Sequence, residues 1–339
     1  MEKNKTNKFI LKQAKSLYNA KSVSENTLGN SANLILETEI KKVPYILRVT
    51  EYSDKKKSHI DFELNWVNYL SNKLDSIVKP VKSLNNNLYE IIESDDKRYI
   101  LCLFEKARGK IVDCDNPAEF NEKLFFDLGA LMGNMHRLTQ EYDGNIITPE
   151  FEWDRTSDYW NLWAKEDELT DDEVLPFEKR CIDKIRKLPK SKDCYGLTHG
   201  DIQHYNFFVD NGNIKLFDFD DCNFNWYAAD IAGTLFYTVQ AAGRRSKPEK
   251  ECTEFAETYL SEYLKGYMQT NTIDKYWVLT FDLFMRYRMT GGYKFVQNAW
   301  RNEPHPHQEY LDWTKKRITG GLPYVFIDYK KIMTSVGIK

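Results

Sequence analysis

The chain has 339 residues, of which 42% are hydrophobic, 29% are charged and 14% are aromatic, and its formal net charge is −3. This length favours two lobes or domains, and no lysine- or arginine-rich face indicates a nucleic-acid partner. The apolar runs are too short for a transmembrane span, and Met1–Thr6 lacks the apolar stretch of a signal peptide. The six cysteines form no C-x-x-C pair, which favours reduced thiols. We therefore expect a cytoplasmic protein with no membrane partner.

The first hundred residues predict strands with one main helix inserted among them. Apolar residues at helical spacing come first, over 8–20, and the turn-rich stretch Asn26–Asn33 follows. Predicted strands cover 34–38, 45–49, 88–92 and 99–104, and the inserted helix covers 60–74. This N-terminal part of the chain is therefore expected to be built around a β-sheet.

From about residue 104 the periodicity becomes helical. Predicted helices cover 119–137, 155–165, 173–188, 226–243, 249–269 and 274–299. Between two of them, 206–217 reads as a short strand, a turn and a second strand. We place a lobe boundary at about 103–109, which separates a lobe over 1–103 from a lobe over 104–339.

One segment carries most of the chemical information. It reads Leu-Thr-His199-Gly200-Asp201-Ile-Gln-His204-Tyr-Asn206, and after a short gap Ile214-Lys-Leu-Phe-Asp218-Phe-Asp220-Asp221. Protein kinases place a catalytic base, an amide metal ligand and a metal-binding aspartate in this order and near this spacing. A hydroxyl that attacks a γ-phosphate needs an acceptor for its proton. The phosphate charge needs Mg²⁺, which prefers oxygen ligands.

The residue types predict a role for each position. Asp201 is the candidate base, and Asn206 and Asp218 are candidate Mg²⁺ ligands. Asp220 is a candidate second carboxylate ligand, with Asp221 as the alternative to it. Each of these residues alone would be read as a turn or cap residue. Their combination at this spacing favours the catalytic interpretation.

Two neighbouring residues are expected to support the segment. His199 is predicted to brace the loop through a hydrogen bond to backbone near the second aspartate, rather than to act as a base. Asp230 opens a predicted helix, where an N-cap role is expected. From that position its carboxylate could also support the catalytic loop.

The N-terminal lobe offers candidates for binding phosphates. Gly29, Asn30, Ser31 and Asn33 could form a turn whose backbone amides face phosphates, with a plain hairpin as an equal alternative. Arg48 ends an apolar strand, and Glu63 follows fifteen residues later on the predicted helix. A cation there could hold the α- and β-phosphates, with Glu63 orienting it. The plain alternatives are a surface strand residue and a solvated helix face.

In these motifs the sequence resembles the aminoglycoside phosphotransferase and choline kinase-like family. The resemblance covers roughly residues 20–240 and rests on His199-Gly-Asp201-x₄-Asn206, Ile-Lys-Leu-Phe-Asp218-Phe-Asp220-Asp221, Asp230-Ile-Ala and Leu128-Gly-x-Leu-Met-x-x-Met-His136. It implies a bilobal protein-kinase-like α+β fold, with a small β-rich N-lobe and a larger, mostly helical C-lobe. It also implies ATP in the cleft, Mg²⁺ as cofactor and a small-molecule hydroxyl as the acceptor.

The resemblance agrees with the roles given above. The N-terminal lobe becomes the ATP-binding lobe and the C-terminal lobe the catalytic and acceptor-binding lobe. Glu105, at the boundary, joins the candidate ATP-binding residues, and His136 is expected to be a packing residue. Arg48 departs from the lysine of many kinases, and its planar fork replaces a point charge.

The leading hypothesis is an ATP-dependent phosphotransferase that acts on a hydroxyl of an aminoglycoside-like compound, an amino alcohol or a sugar. A serine/threonine protein kinase of the stress-response type would use the same chemistry on a protein. A non-catalytic nucleotide-binding scaffold is the third hypothesis, against which the presence of Asp201, Asn206 and Asp218 argues. The sequence leaves the oligomeric state open.

Contacts to the acceptor carry a weaker signal. An acidic stretch, Glu166–Glu173, could attract amines, although a solvated loop or helix start is favoured. Aromatic and basic residues that could line an acceptor pocket are Trp160, Trp163, Trp226, Tyr287, Arg288 and Trp300. A core role is favoured for most of the tryptophans.

Overall fold

The protein was analysed as a computed structural model that describes residues 2–30, 33–94, 97–154, 171, 173–243, 247–299 and 307–339. The chain divides into two compact units. Unit 1 comprises Met1–Gly109 and Lys215–Asp220, and unit 2 comprises Lys110–Ile214 and Asp221–Lys339. Within the described ranges, no helix combines the length and the hydropathy that crossing a bilayer requires.

Unit 1 is built on an antiparallel sheet. Its helices are α1 (Glu2–Tyr18) and α2 (Asp54–Ser71), and its strands are β1 (Lys21–Asn30), β2 (Leu34–Ile40), β3 (Val43–Glu51), β4 (Pro80–Val81), β5 (Glu90–Ser94) and β6 (Lys97–Glu105). The strand order is β1-β2-β3-β6-β4, and β5 also pairs with β6. The strands and the inserted helix predicted for the first hundred residues are confirmed.

The turn predicted over Asn26–Asn33 is wrong in its first part. β1 continues to Asn30, which pairs with Leu34, and Gly29 pairs with Ile35. The register shifts twice along β1, between Ser22 and Gly29. Such irregularities allow a polar, glycine-containing stretch to stay in a ladder.

The two faces of the sheet bury different partners. On β6, Leu101 and Leu103 belong to the core cluster that contains α1, whereas Ile100 and Cys102 pack with Ile60 of α2. This alternation follows from the period of two in a strand. α1 and α2 therefore cover opposite faces.

The same alternation on β3 decides where its polar residues lie. Leu47 and Val49 belong to the cluster on the α1 face. Arg48 and Thr50, which alternate with them, are consequently on the face that α2 covers. Both are buried.

Unit 2 is mostly helical, with two short ladders. Its elements are α3 (Glu122–Glu141), a 3₁₀ turn (Pro149–Phe151), α4 (Leu175–Ile185), β7 (Tyr195–Thr198), β8 (Phe207–Asp210), β9 (Asn213–Leu216), β10 (Asn223–Trp226), α5 (Tyr227–Ala241), α6 (Glu249–Tyr267), α7 (Lys275–Val278), α8 (Phe281–Ala299), α9 (Gln308–Thr319) and α10 (Tyr329–Val336). β9 leads into unit 1, since its last two residues belong there. β8 pairs with β9, and β7 pairs with β10.

The single helix predicted over 274–299 is wrong, because α7 and α8 are separate. The Thr280 hydroxyl donates to the Trp277 carbonyl oxygen at 2.6 Å, and the Thr280 N–H bonds the same oxygen. A hydroxyl that competes for helix carbonyls in this way favours a break. The helix predicted over 155–165 lies outside the described residues, and β4, β7, β10, α9 and α10 had not been predicted.

Glycines allow α3 and α6 to approach at backbone distance. A Cβ on Gly129 would lie 1.9 Å from the Tyr263 carbonyl oxygen, and a Cβ on Gly266 would lie 1.9 Å from the Phe126 carbonyl oxygen. Only glycine can occupy such positions without moving the helices. The approach places His136 of α3 beside Tyr267 of α6, with His136 Nδ1 3.0 Å from the Tyr267 hydroxyl.

The β7–β10 ladder brings together the two ends of the stretch from His199 to Cys222. Thr198, the last residue of β7, pairs with Asn223, the first residue of β10. The Thr198 hydroxyl also donates to the Asn223 carbonyl oxygen at 3.1 Å. The segment after Thr198 therefore begins next to the chain that leads through β10 into α5.

Candidate active site

Arg48 on β3 and Glu63 on α2 form a buried, two-pronged ion pair. Arg48 Nη1 donates to Glu63 Oε1 at 2.8 Å, and Nη2 donates to Oε2 at 2.6 Å. The two side chains are only 7% and 2% exposed. Burial acts to lower the pKa of Arg48, but the Glu63 carboxylate outweighs it and raises that pKa well above its ordinary value. The guanidinium is therefore a permanent cation.

This geometry decides between the interpretations given to the two residues. Arg48 is not a surface strand residue and Glu63 is not on a solvated helix face, because each side chain is buried against the other. The predicted pairing of a strand cation with a helix carboxylate is present. Its contact with phosphates stays a prediction.

Asp218 occupies a strained and exposed position two residues after the end of β9. Its φ is 67°, in the left-handed region that residues other than glycine rarely adopt. The next residue, Phe219, is buried and packs edge-on against Trp66 of α2, with ring centroids 5.5 Å apart. An exposed aspartate thus stands directly before an anchored phenylalanine.

Asp220 is held on both sides by side chains of unit 1. Asn33 Nδ2 donates to Asp220 Oδ2 at 3.3 Å, and the Thr50 hydroxyl donates to Asn33 Oδ1 at 2.6 Å. His59 Nε2 lies 2.7 Å from the Asp220 carbonyl oxygen. Because a carbonyl oxygen only accepts, Nε2 carries the proton. Burial lowers the pKa of His59, which favours this neutral form.

These contacts connect β3 and α2 twice. The connection through Arg48 and Glu63 is direct, and the other runs from Thr50 through Asn33 and Asp220 to His59. Thr50 lies two residues after Arg48 on one strand face, and His59 lies four residues before Glu63 on one helix face. Sequence analysis missed both residues, although this spacing was a signal that could have identified them.

The other candidates of unit 1 occupy different places. Gly29 and Asn30 lie in the β1–β2 ladder, so the backbone there is part of a hairpin. Ser31 lies outside the described residues. Asn33 contacts Asp220, and Glu105 is an exposed residue at the end of β6 whose N–H bonds the Lys79 carbonyl oxygen at 3.0 Å. Nucleotide binding by these residues stays a prediction.

The loop after β7 brings Asp201 and Asn206 together. Asn206 is buried, and its Nδ2 donates to the Asp201 carbonyl oxygen at 2.8 Å and to Asp201 Oδ2 at 2.9 Å. Gln203 Nε2 donates to the same Oδ2 at 2.7 Å. Asp201 therefore has a fixed orientation within its own loop. Because the Asn206 nitrogen is committed to Asp201, the amide oxygen is the atom it can offer to a cation.

Asp230 supports this loop from α5. Its carboxylate accepts the His199 N–H at 3.1 Å and the Gly200 N–H at 3.0 Å, and His136 Nε2 lies 3.2 Å away. Burial acts to raise the pKa of Asp230, but the hydrogen bond from His136 and the loop amides lower it below its ordinary value. The expected N-cap role is wrong, because α5 begins at Tyr227. The second expectation concerned contact between the Asp230 carboxylate and the loop, and these bonds show that contact.

His199 and His136 are both structural. His199 Nδ1 accepts a hydrogen bond from the Asp201 N–H at 3.3 Å, so it braces the loop beside the first aspartate. The expected bond near the second aspartate stays a prediction. His136 is fully buried and stacks on Tyr227 with centroids 4.4 Å apart, which confirms the packing role. Neither imidazole is placed by these contacts as a general base.

A glycine is needed between His199 and Asp201. Gly200 has a φ of 83°, and a Cβ there would lie 2.5 Å from the Asp221 carbonyl oxygen. This conformation turns the chain sharply before the candidate base. The glycine of the motif is thus explained by backbone geometry.

The residue types present suit a magnesium ion, considered in each unit separately. In unit 2, Asn206 offers an amide oxygen. In unit 1, Asp218 and Asp220 offer carboxylates, and Asp218 is exposed. In the described part of the chain no three His, Cys, Asp or Glu side chains form a metal cluster. Mg²⁺ does not need one, since it usually binds one or two carboxylates and completes its shell with phosphates and water.

The candidate acceptor residues have varied surroundings. Trp226 is fully buried, which confirms the core role. Asp171 accepts the Tyr293 hydroxyl at 2.6 Å and pairs with Lys315 at 3.0 Å, so this member of the acidic stretch is neutralised. Trp160, Trp163, Trp300, 166–170 and Asp172 lie outside the described residues. His204 is half-buried beside the ring of Tyr205.

Comparison with known proteins identifies relatives along nearly the whole chain. The phosphotransferase enzyme family (APH) matches residues 22–271. Amicoumacin kinase of Bacillus subtilis (strain 168) is 29% identical over 335 residues, which cover 96% of this chain and 95% of that protein. The similarity therefore includes the C-terminal helices, where the motifs carried no signal.

Solved structures show the same architecture. Amicoumacin kinase hAmiN, solved in complex with AMP-PNP, Ca²⁺ and Ami, is 30% identical with a TM-score of 0.82, and the match covers 96% of each chain. A microcompartment-associated aminopropanol kinase is alike in fold, with 20% identity, a TM-score of 0.68 and coverage of 98% of this chain and 99% of that chain. The predicted α+β fold of the protein-kinase type is confirmed.

Proposed function

Because the chain belongs to the phosphotransferase enzyme family, we propose that it transfers the γ-phosphate of ATP to a hydroxyl group of a small molecule, with Mg²⁺ as cofactor. The observation that carries the proposal is the loop in which Asp201 is oriented by Asn206 and Gln203. A carboxylate held in this way can align a hydroxyl for attack on a phosphate.

Each residue has a defined part in this mechanism. Asp201 would accept the hydroxyl proton and orient the attacking oxygen. Asn206 and Asp218 would bind the metal ion through oxygen atoms, and Asp220 is the candidate for a second carboxylate contact. When bound, Mg²⁺ would supply neutralisation of the phosphate charge. Arg48, oriented by Glu63, would contact the α- and β-phosphates.

We further propose that the acceptor is amicoumacin or a chemically related small molecule. Support comes from the relative that carries this name, which is 29% identical and matches the chain over 96% of its length. Its solved counterpart holds a nucleotide analogue, a divalent cation and Ami together. The position of the phosphorylated hydroxyl follows from none of these observations.

A screen for phosphotransfer tests the proposal. Purified protein with Mg²⁺ and ATP is offered amicoumacin, aminoglycosides, choline, homoserine, sugars, amino alcohols and a protein mixture. ADP release and the mass of each product are recorded. We expect ADP release that depends on the acceptor, together with a product that carries one phosphate. Asp201→Asn should lower kcat by about 10²- to 10⁴-fold, the usual contribution of a general base.

A matched variant makes the screen decisive. Asp193→Asn changes an exposed aspartate just before β7 and should keep wild-type activity. If Asp201→Asn is as active as Asp193→Asn, the assigned base is wrong. Transfer to protein alone would support the serine/threonine kinase alternative. ATP binding without turnover on any acceptor would support the scaffold.

A further inference from the structure

Arg288 of α8 contacts the catalytic loop from outside it. Its Nη2 donates a hydrogen bond to the Gly200 carbonyl oxygen. The Gly200 N–H, on the other side of the same residue, donates to Asp230 Oδ1 at 3.0 Å. Gly200, which has the positive φ that the turn requires, is therefore held at both its N–H and its C=O by charged side chains of two helices. This fixes the backbone immediately before Asp201.

Arg288 also contacts Tyr237 of α5. Its Nη1 donates to the Tyr237 hydroxyl oxygen at 3.1 Å, and the guanidinium carbon lies 4.7 Å from the centre of the Tyr237 ring. Because the hydroxyl oxygen accepts from Arg288, its own hydrogen is available for another acceptor. Arginine suits this position, since its planar group can donate in two directions at once.

Tyr237 stays protonated beside Arg288. Burial raises the pKa of Tyr237, Arg288 acts to lower it, and the negative charge of Asp201 raises it further. The neutral hydroxyl therefore accepts the bond from Arg288 Nη1. Tyr237 thereby holds the guanidinium whose other nitrogen bonds the Gly200 carbonyl oxygen.

The charge of Arg288 is balanced within this group. Burial acts to lower the pKa of Arg288, but Tyr237, Asp201, Asp221 and Asp230 together raise it. Arg288 therefore stays charged while it donates to the Gly200 carbonyl oxygen.

We propose that Arg288 and Tyr237 are positioning residues of the phosphotransfer reaction: Tyr237 holds the Arg288 guanidinium, and Arg288 fixes the Gly200 backbone and so orients Asp201 from outside its own loop. The inference rests on the proposed function, in which Asp201 is the base. It adds Arg288 of α8, which lies 87 positions after Asp201, and Tyr237 of α5, which lies 36 positions after it.

Two conservative variants test the inference. Tyr237→Phe keeps the ring and removes the hydroxyl, and Arg288→Lys keeps the charge but not the two-directional fork. We expect kcat to fall about tenfold in each, the effect of losing one hydrogen bond that fixes the loop before Asp201. KM for ATP should stay within about twofold, because neither residue belongs to the groups assigned to the nucleotide.

A background without the base separates positioning from a merely structural role. If the two residues act through Asp201, then Tyr237→Phe should cost no further activity in the Asp201→Asn protein. Arg286→Lys is the matched control on the same helix, since Arg286 pairs with Asp282 at 2.6 Å and donates to the Gly321 carbonyl oxygen at 2.8 Å. It should leave kcat and KM for ATP unchanged.

The outcomes distinguish the inference from the proposed function. An active Asp201→Asn protein would overturn the proposed base and the inference with it. An inactive Asp201→Asn protein beside fully active Tyr237→Phe and Arg288→Lys proteins would overturn the inference alone. Equal losses from Tyr237→Phe with and without Asp201 would also overturn it, because a structural defect acts in both backgrounds. If Arg288→Lys does not fold, Tyr237→Phe still decides the matter.

Discussion

At the scale of single residues, the Arg48–Glu63 pair explains why this position is arginine rather than the lysine of many kinases. Two guanidinium nitrogens bond the two oxygens of one carboxylate at 2.8 and 2.6 Å. A lysine would make one such contact and leave the other oxygen of a buried carboxylate without a donor. Arginine at position 48 is therefore matched to the two carboxylate oxygens of Glu63.

Breaking this pair should destabilise the protein strongly. Glu63→Gln leaves the Arg48 cation buried without its counter-charge, which typically costs about 3–5 kcal/mol. Denaturant unfolding measures the change, and KM for ATP should rise with it. Asp61→Asn on the same helix is the control, because it breaks the exposed pair with Lys57 and should cost only about 0.5 kcal/mol or less. Equal losses in the two variants would show that the buried pair has no special role.

At the scale of elements, α2 connects two parts of the candidate site. Its Glu63 fixes Arg48, and one turn earlier its His59 bonds the Asp220 carbonyl oxygen. A shift of this helix would therefore alter both the cation assigned to the phosphates and the segment that carries the candidate metal ligands Asp218 and Asp220. His59 and Glu63 both lie in unit 1.

This arrangement predicts an effect of α2 on metal use. His59→Leu removes the donor to the Asp220 segment, and loss of a residue that orients metal ligands typically weakens metal binding by about 10- to 100-fold. The Mg²⁺ concentration that gives half-maximal activity should rise accordingly. Lys55→Ala, an exposed change in the first turn of α2, should have no effect. An unchanged Mg²⁺ dependence in His59→Leu would separate the helix from the metal segment.

The contact of α3 with α6 makes a second prediction at this scale. Gly129→Ala would place a methyl group 1.9 Å from the Tyr263 carbonyl oxygen, and backbone cannot move aside as a side chain can. Overpacking of this kind costs about 1–3 kcal/mol, which thermal unfolding detects. Gly292→Ala is the control, because the nearest atom there is the Tyr310 hydroxyl at the end of a side chain. Similar melting temperatures for both variants would contradict the close helix contact.

At the scale of the whole molecule, buried histidines make stability depend on pH. Burial lowers the pKa of His136 and of His59 below the ordinary value of 6.5. The unfolded chain restores the ordinary value, so it binds more protons than the folded chain as the pH falls below about 6.5. Stability is therefore complete above that pH and declines below it.

Unfolding in urea at pH 7.5, 6.5 and 5.5 tests this dependence. Each histidine contributes a slope of up to about 1.4 kcal/mol per pH unit below pH 6.5. His136→Gln should be less stable at pH 7.5, because Asp230 loses its buried partner. Its decline toward pH 5.5 should nevertheless be shallower than that of the wild type. Wild-type midpoints that are equal at pH 7.5 and 5.5 would contradict the expectation.

What the sequence could predict depended on how far apart the contacting residues are. Arg48 and Glu63 are 15 positions apart and Asp201 and Asn206 are 5 apart, so strand, helix and loop periodicity bring each pair together. Asn33 and Asp220 are 187 positions apart. No local sequence pattern predicts such a contact, because it depends on how residues 215–220 pack against the sheet of unit 1.

The same reason explains the errors within the site. Aspartate is a common N-cap residue, which suggested that role for Asp230. The helix nevertheless starts at Tyr227, because β10 leads directly into it. Arg288 contacts Gly200 across 88 positions and lies on a helix whose sequence resembles any other amphipathic helix. Predicting its role required the packing of α5 and α8 beside the loop.

The discontinuity of unit 1 affects the order in which the protein can fold on the ribosome. The Leu216 N–H bonds the Ser76 carbonyl oxygen at 2.7 Å, and the Leu216 carbonyl oxygen accepts the Val78 N–H at 2.9 Å, so unit 1 needs this segment for its edge. Domains usually fold as they emerge, the N-terminal one first. Here the first 109 residues must wait until residue 220 of 339 has been synthesised. Unit 1 can therefore be completed only after residues 110–214, which belong to unit 2, have been synthesised.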